Sequence, residues 1–254
     1  MNAHHFVSRA AATGLLLGAL AVGTLGPGLA NAQDDPRTFA DTGYTVADDN
    51  IWSFFDTHGG AATFGEPVSR EFNFQGTAVQ LFQNAGLQVE PDGSVQVMQL
   101  TDPGLVPYTR LDGLTVPAAD PATAFVAPSP DQPNYDARLQ VFLQATVPDT
   151  WNGQPVQFYS TYTSQGGVAV WGVPTSAPAA DPHNPRFVYQ RFQNGILFYD
   201  AGAATTQALP LGEYLKDILS ASNLPTDLAS EAAGSPIYGQ YDTVHGDAFV
   251  PDAS

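Results

Sequence analysis

The sequence predicts an α+β fold made of two helix-plus-β-hairpin units packed together, with a C-terminal helical segment after them. Three observations predict it. The stretch FVYQRFQNGILFYD, residues 187–200, alternates apolar and polar residues around Asn194-Gly195 and reads as a complete hairpin. Its Phe-Gln-Asn occurs once more, far upstream, in AVQLFQNAGLQVE. Ahead of each site lies a second match: HGGAATFGEPVS (58–69) pairs with QGGVAVWGVPTS (165–176) without a gap.

In chain order, residues 1–32 carry Arg9, an apolar stretch, a helix-breaking Gly-Pro-Gly and Ala30-Asn31-Ala32. This is the order of a secretory signal peptide cleaved after Ala32. Residues 33–47 read as an N-terminal linker, and the first unit spans 48–112. It opens on a helix capped by Asp48 or Asp49, with Ile51, Trp52, Phe54 and Phe55 as its apolar side. Gly59-Gly60 stops that helix by adopting positive φ. A short extended segment then buries Phe64, Gly65 allows close backbone approach, and Pro67 fixes the exit into the hairpin. Its turn, Asn84-Ala85-Gly86, is one residue longer than Asn194-Gly195 and is expected to differ from that type I′ turn.

Residues 113–133, rich in Pro, Ala and Asp, predict an extended connector. The second unit, 134–208, adds a helix carrying Leu139, Phe142 and Leu143. It then repeats the pattern: a helix with Pro155 near its first position, Gly166-Gly167, Trp171, Gly172, Pro174 and the hairpin. The second copy has three extra residues, expected within APAADPHNPR. Over 209–254 the clearest helix of the chain places Leu211, Tyr214, Leu215, Ile218 and Leu219 on one side. A short helix from Pro225 and a clamp-like tail follow.

Composition narrows the function classes. There are 25 acids against 8 Lys and Arg, a formal net charge of −17, which repels nucleic acid and anionic lipid. No apolar run beyond the N-terminus is long enough to span a bilayer, so membrane contact is expected only through the signal peptide. With no cysteine, neither disulfides nor lipid attachment through cysteine is available. His58, His183 and His245 are scattered, and no zinc or calcium motif is present, so no metal and no cofactor are expected. No nucleophile elbow occurs. Ser69 and Ser176 recur together without a recurring histidine and read as turn-capping hydroxyls, so no catalytic residue is assigned. Carboxylates such as Asp56, Glu66, Glu71 and Glu90 could still converge in three dimensions for glycoside hydrolysis. Aromatic residues are the remaining signal. Trp151, expected exposed in VPDTWNGQP, together with Trp52, Tyr159 and Tyr189 is the candidate platform for stacking on sugar rings, while Trp171 is expected in the core.

With these residues laid out, the chain resembles a group of secreted bacterial proteins with repeats of the form Gly-Gly…Phe-Gly-x-Pro-x-Ser…Gln-x-Phe. It is distantly similar to the LGFP repeats of envelope proteins. The matching residues are Gly59, Gly60, Phe64, Gly65, Pro67, Ser69, Gln80 and Phe82, then Gly166, Gly167, Trp171, Gly172, Pro174, Ser176, Gln190 and Phe192. The resemblance implies an exported protein, extracellular or associated with the cell wall. The resulting expectation is a non-catalytic module that binds glycan or another envelope component, with a secreted polysaccharide hydrolase as the alternative.

Overall fold

The structure, a computed structural model, describes residues 35–241 and 247–252. The expected signal peptide and His245 lie outside the described residues. Within them the chain is mixed α+β, and its sheets are antiparallel.

The hairpin β1 (Thr38–Phe39) and β2 (Tyr44–Thr45) leads to α1 (Asp49–Thr57). Asp48 is its cap, one carboxylate oxygen accepting from the amides of Asn50 and Ile51, both at 2.8 Å. Gly59 and Gly60 follow at φ 98° and 56°. The segment expected to be extended is a helical turn, α2 (Ala61–Phe64), because the amides of Thr63 and Phe64 donate back to the Gly60 carbonyl at 3.1 and 2.9 Å. The glycine pair thus ends one helix and starts the next. Strands β3 (Phe72–Phe74), β4 (Thr77–Leu81), β5 (Gly86–Val89) and β6 (Val95–Val97) make a four-stranded meander.

A small hairpin follows, β7 (Arg110–Leu111) and β8 (Leu114–Thr115). The connector is not extended throughout: Asp120 caps a short helix, α3 (Pro121–Val126). Helix α4 (Tyr135–Thr146) buries Leu139 and Leu143. Helix α5 (Phe158–Ser164) begins beyond Pro155, which was expected near its first position. The start is set by Asp149, whose carboxylate accepts from the Ser160 amide at 2.8 Å and its hydroxyl at 2.7 Å. Helix α6 (Gly167–Trp171) again replaces an expected extended segment. Strands β9 (Ala179–Ala180), β10 (Phe187–Arg191), β11 (Ile196–Asp200) and β12 (Thr205–Ala208) form the second meander. Helices α7 (Leu211–Ser220) and α8 (Thr226–Ala232) close the described order.

The two hairpin turns differ from expectation in the same way. Leu81 pairs with Gly86 and Arg191 with Ile196, so both loops hold four residues and neither is longer. Asn194 and Gly195 are absent from the residues of positive φ, so the turn is not type I′. Side chains hold both loops instead. Asn84 and Asn194 donate from Nδ2 to the carbonyls of Thr63 and Val170, at 3.1 and 2.9 Å. Gln83 and Gln193 accept at Oε1 from the amides of Glu66 and Val173, each at 3.0 Å.

The corner before each hairpin has matching contacts. Gly65 and Gly172 have φ of 73° and 69°, disfavoured for other residues, and a Cβ there would sit 2.5 and 2.7 Å from the Cβ of Gln83 and Gln193. Ser69 and Ser176 are buried, and their hydroxyls accept from the strand amides of Leu81 and Arg191 at 2.8 and 3.0 Å. They tie the corner to the hairpin and do not cap a turn. Gln80 donates to the carbonyls of Thr45 and Ser69, and Gln190 to those of Thr146 and Ser176. The extra residues of the second stretch lie between β9 and β10, around the buried Asp181.

Both meanders are covered on two faces, since successive strand residues point opposite ways. On one side Phe55, Phe64, Phe82 and Leu87 share a core cluster with Phe158, Tyr162, Trp171, Phe192 and Leu197. On the other, Val79, Leu81, Tyr189 and Ile196 pack with Leu211, Leu215, Ile218 and Leu228 of the C-terminal helices. The segments after the meanders cross over. Thr101 donates its hydroxyl to the carbonyls of Phe192 and Gln193 in the second turn, at 2.7 and 2.8 Å. The Glu213 amide donates to the Gln83 carbonyl in the first turn at 3.0 Å.

Ionic side chains pin the segment around β7 and β8. The buried Arg191 donates to the carbonyls of Pro107, Tyr108 and Pro117 at 2.8, 2.9 and 2.9 Å. Asp181 accepts from the Thr115 amide, Glu231 from the amide and hydroxyl of Thr109, and Asp227 from the amides of Asp112 and Gly113.

Candidate functional site

The aromatic platform expected from the sequence is not assembled. Tyr189 is 1% exposed, packed with Phe187 and Phe198, so it presents no face to a ligand. Trp151, expected exposed, is half-buried against the core because its backbone pairs with Gln154 and folds the loop inward. Trp52 lies under the Arg37 guanidinium, 5.5 Å from its ring centroid. The Tyr159 hydroxyl accepts from Gln140 at 2.8 Å. Trp171 is in the core, as expected. The scattered acids have separate surroundings. Burial and then Asp41 raise the Glu66 carboxyl, burial and then Asp48 raise Glu71, and Glu90 accepts from Gln88. His58 stacks on Phe54 at 4.0 Å, its Nδ1 2.8 Å from the Phe54 carbonyl oxygen, and His183 is exposed. Among the described residues no group of three or more His, Asp or Glu could hold a metal ion, and no helix is long and apolar enough to cross a membrane.

A different site forms beside α7. The apolar stripe Leu211, Leu215, Ile218 and Leu219 fixes the helix on the core, which turns Glu213, Lys216, Asp217 and Ser220 outward and leaves Tyr214 half-buried at the edge of the core. Facing them are Asn223 and Pro225 from the next loop, with Tyr241 and Phe249 from the C-terminal segment. These residues line a cleft of about 750 Å³. The wall opposite the helix is held firmly. Tyr241 and Phe249 stack at 4.1 Å, and the Tyr44 hydroxyl donates to the Phe249 carbonyl at 2.8 Å. Arg70 pairs with Asp252 at 2.7 Å, while the Asp252 carboxylate accepts from the Thr45 amide at 3.0 Å.

The electrostatics of the cleft are lopsided. Burial, reinforced by neighbouring Glu213 and opposed by Lys216, pushes the Asp217 carboxyl up to about 6. Burial first, then Asp112, Glu213, Asp227 and Asp217, pushes the Tyr214 hydroxyl up to about 12. Burial lowers the Lys216 ammonium, which sits 5.2 Å from the Tyr44 ring and 5.7 Å from that of Phe249. Among the described residues neither the Glu213 nor the Asp217 carboxylate has a hydrogen-bond partner. The cleft therefore offers aromatic side chains, the mutually bonded hydroxyls of Ser220 and Ser222, the Asn223 amide and two open acceptors. The spacing of Glu213 and Asp217, one helical turn apart, was available in the sequence as a same-face signal. Tyr241 and Phe249 gave none, because only the fold brings them to α7.

No family model, curated protein or solved structure matches this chain.

Proposed function

We propose that the protein is a secreted, non-catalytic module of the cell envelope, built from two copies of one helix-and-hairpin unit, whose cleft beside α7 binds a glycan. The observation that carries this reading is the pairing, in one 750 Å³ cleft, of the aromatic side chains of Tyr214, Tyr241 and Phe249 with two open carboxylates and the hydroxyl pair of Ser220 and Ser222. Sugar rings present apolar faces for stacking and hydroxyls for hydrogen bonding, and this lining complements both. The duplication is supported by the equivalent bonds of Ser69 and Ser176, Gln80 and Gln190, and Gln83 and Gln193. Export and envelope location rest on residues 1–32 and on the resemblance to secreted repeat proteins.

One observation favours the second reading, a polysaccharide hydrolase: an Asp217 carboxyl near 6 is suited to protonating a leaving group. Glycoside hydrolysis, however, places its two carboxyl groups on either side of the scissile bond. Glu213 and Asp217 project from one turn of the same helix and form one wall. Binding is the better account.

The test is retention of the purified protein on cell-wall polysaccharide, with reducing ends assayed in parallel. Retention without release, weakened about tenfold by Tyr241→Ala or Asp217→Asn, is expected, since such a change amounts to one lost stacking or hydrogen-bonding contact of about 1.4 kcal/mol. Release of reducing ends that Asp217→Asn abolishes would establish the hydrolase instead. Neither retention nor release would sink both.

A further inference from the structure

A second surface, separate from the α7 cleft, is apolar and left open. Helix α3 is fastened at its start: the Asp120 amide donates to the Thr175 carbonyl at 2.7 Å, and the Asp120 carboxylate accepts from the Ala122 amide at 2.9 Å. Yet no residue of α3 is buried. Phe125 is 89% exposed and Val126 64%, and across a gap from them Val141 of α4 is 66% exposed. These three are half of the exposed large hydrophobic residues among the described ones, gathered on one groove of about 540 Å³. That volume lies within the roughly 300–1,000 Å³ of small-molecule sites. A six-residue helix is marginal in water unless its apolar side is covered, and here nothing in the described chain covers it.

Charge says what the cover is. No acid lines the groove, although the chain has 25. Its one charged lining residue is Arg138. Every other described cation is engaged. Arg37, Arg70, Arg110 and Arg186 pair with carboxylates, Arg191 is spent on three carbonyls, and Lys216 lies over two rings. Arg138 uses Nε on the Pro133 carbonyl at 3.1 Å, and its Nη groups have no partner among the described residues. An open guanidinium at an apolar groove complements an aliphatic chain ending in an anion.

We infer that the groove between α3 and α4 binds one molecule of an anionic amphiphile, a single acyl chain whose carboxylate pairs with Arg138 while its methylenes lie against Phe125, Val126, Val141 and Phe142. A whole anionic bilayer is disfavoured by the net charge of −17, and that charge also opposes a second copy of the chain.

The experiment is displacement of a fluorescent fatty acid from the full chain by myristate and by the matching fatty alcohol. Saturable binding of one molecule is expected, with myristate preferred over the alcohol. Val141→Asp and Phe125→Ser, both at exposed positions, each weaken it about tenfold or more by removing apolar contact. Arg138→Gln erases the preference for the acid and leaves affinity for the alcohol unchanged. Non-saturable uptake, or binding indifferent to Val141→Asp, overturns the inference. So does Val141-dependent sedimentation with anionic vesicles in place of free-chain binding, or a concentration-dependent dimer mass that Val141→Asp abolishes.

Discussion

At the residue scale, the two hairpin turns are matched by volume. A Cβ on Gly195 would lie 2.9 Å from the Trp171 ring, whereas the first turn carries Ala85 against the smaller Phe64. The glycine is there for space, because its φ is outside the left-handed region. Gly195→Ala should therefore cost about 1–3 kcal/mol by overpacking. Combining it with Trp171→Phe, which recreates the first turn, should recover much of that loss in a double-mutant cycle by urea denaturation. The sequence announced the Asn-Gly pair but misdirected its reading, since the I′ rule looks only at neighbours and the bulk of Trp171 decides. A second residue-scale prediction concerns Asp217. Its folded value near 6 exceeds the roughly 3.9 of an unfolded chain, so the native state holds more proton between these values. Stability from this group accordingly falls as pH rises from about 4 to 6 and stays reduced above. Asp217→Asn should raise stability at pH 7 by on the order of 1 kcal/mol after solvent screening, with the gain disappearing below about pH 4 in paired denaturation curves.

At the element scale, α7 was legible in full, because five apolar residues at helical spacing need only one core to lie on. Its docking was not. Gly212 faces the carbonyl oxygens of Phe82 and Ala85, and a methyl there would overlap backbone that cannot rotate away. Gly212→Ala should lower stability by at least about 2 kcal/mol, read as a fall in Tm, and should loosen the first hairpin turn in amide exchange. Helices α2 and α6 escaped prediction for a related reason. Four or five residues carry too little periodicity to show, and their hydrogen bonds return to the glycines that were read only as stops.

At the scale of the whole molecule, the segment around β7 and β8 is fastened by charge. Arg191 stands where the first meander has Leu81, and burial lowers its guanidinium to about 10. Its three carbonyl acceptors would be stranded by Arg191→Leu, for which we expect a loss of about 3 kcal/mol or more. Faster exchange of the Val116 amide, bonded to the Thr109 carbonyl, should accompany it; unchanged exchange would refute the pinning role. The α+β class is legible in the sequence because glycine, proline and local spacing set it. The α7 cleft is not, because Tyr241, Phe249 and Asp217 are joined only by tertiary closure. The candidate platform failed for the converse reason: Tyr189 alternates correctly for a strand, but the sheet is covered on both faces and leaves it no solvent side.

The Tyr44 hydroxyl meets the Phe249 carbonyl across 205 positions of chain, and the Gly43 carbonyl accepts from the Asp252 amide. Residues 43–44 and 249–252 are thus stitched into a loop that cannot be tied until residue 252 has been made. Such distant pairing makes folding slow and leaves the β1–β2 hairpin waiting on a stretch not yet made. Removing Asp252 would be felt some two hundred positions upstream, where the Thr45 amide and Arg70 would lose the carboxylate that holds them.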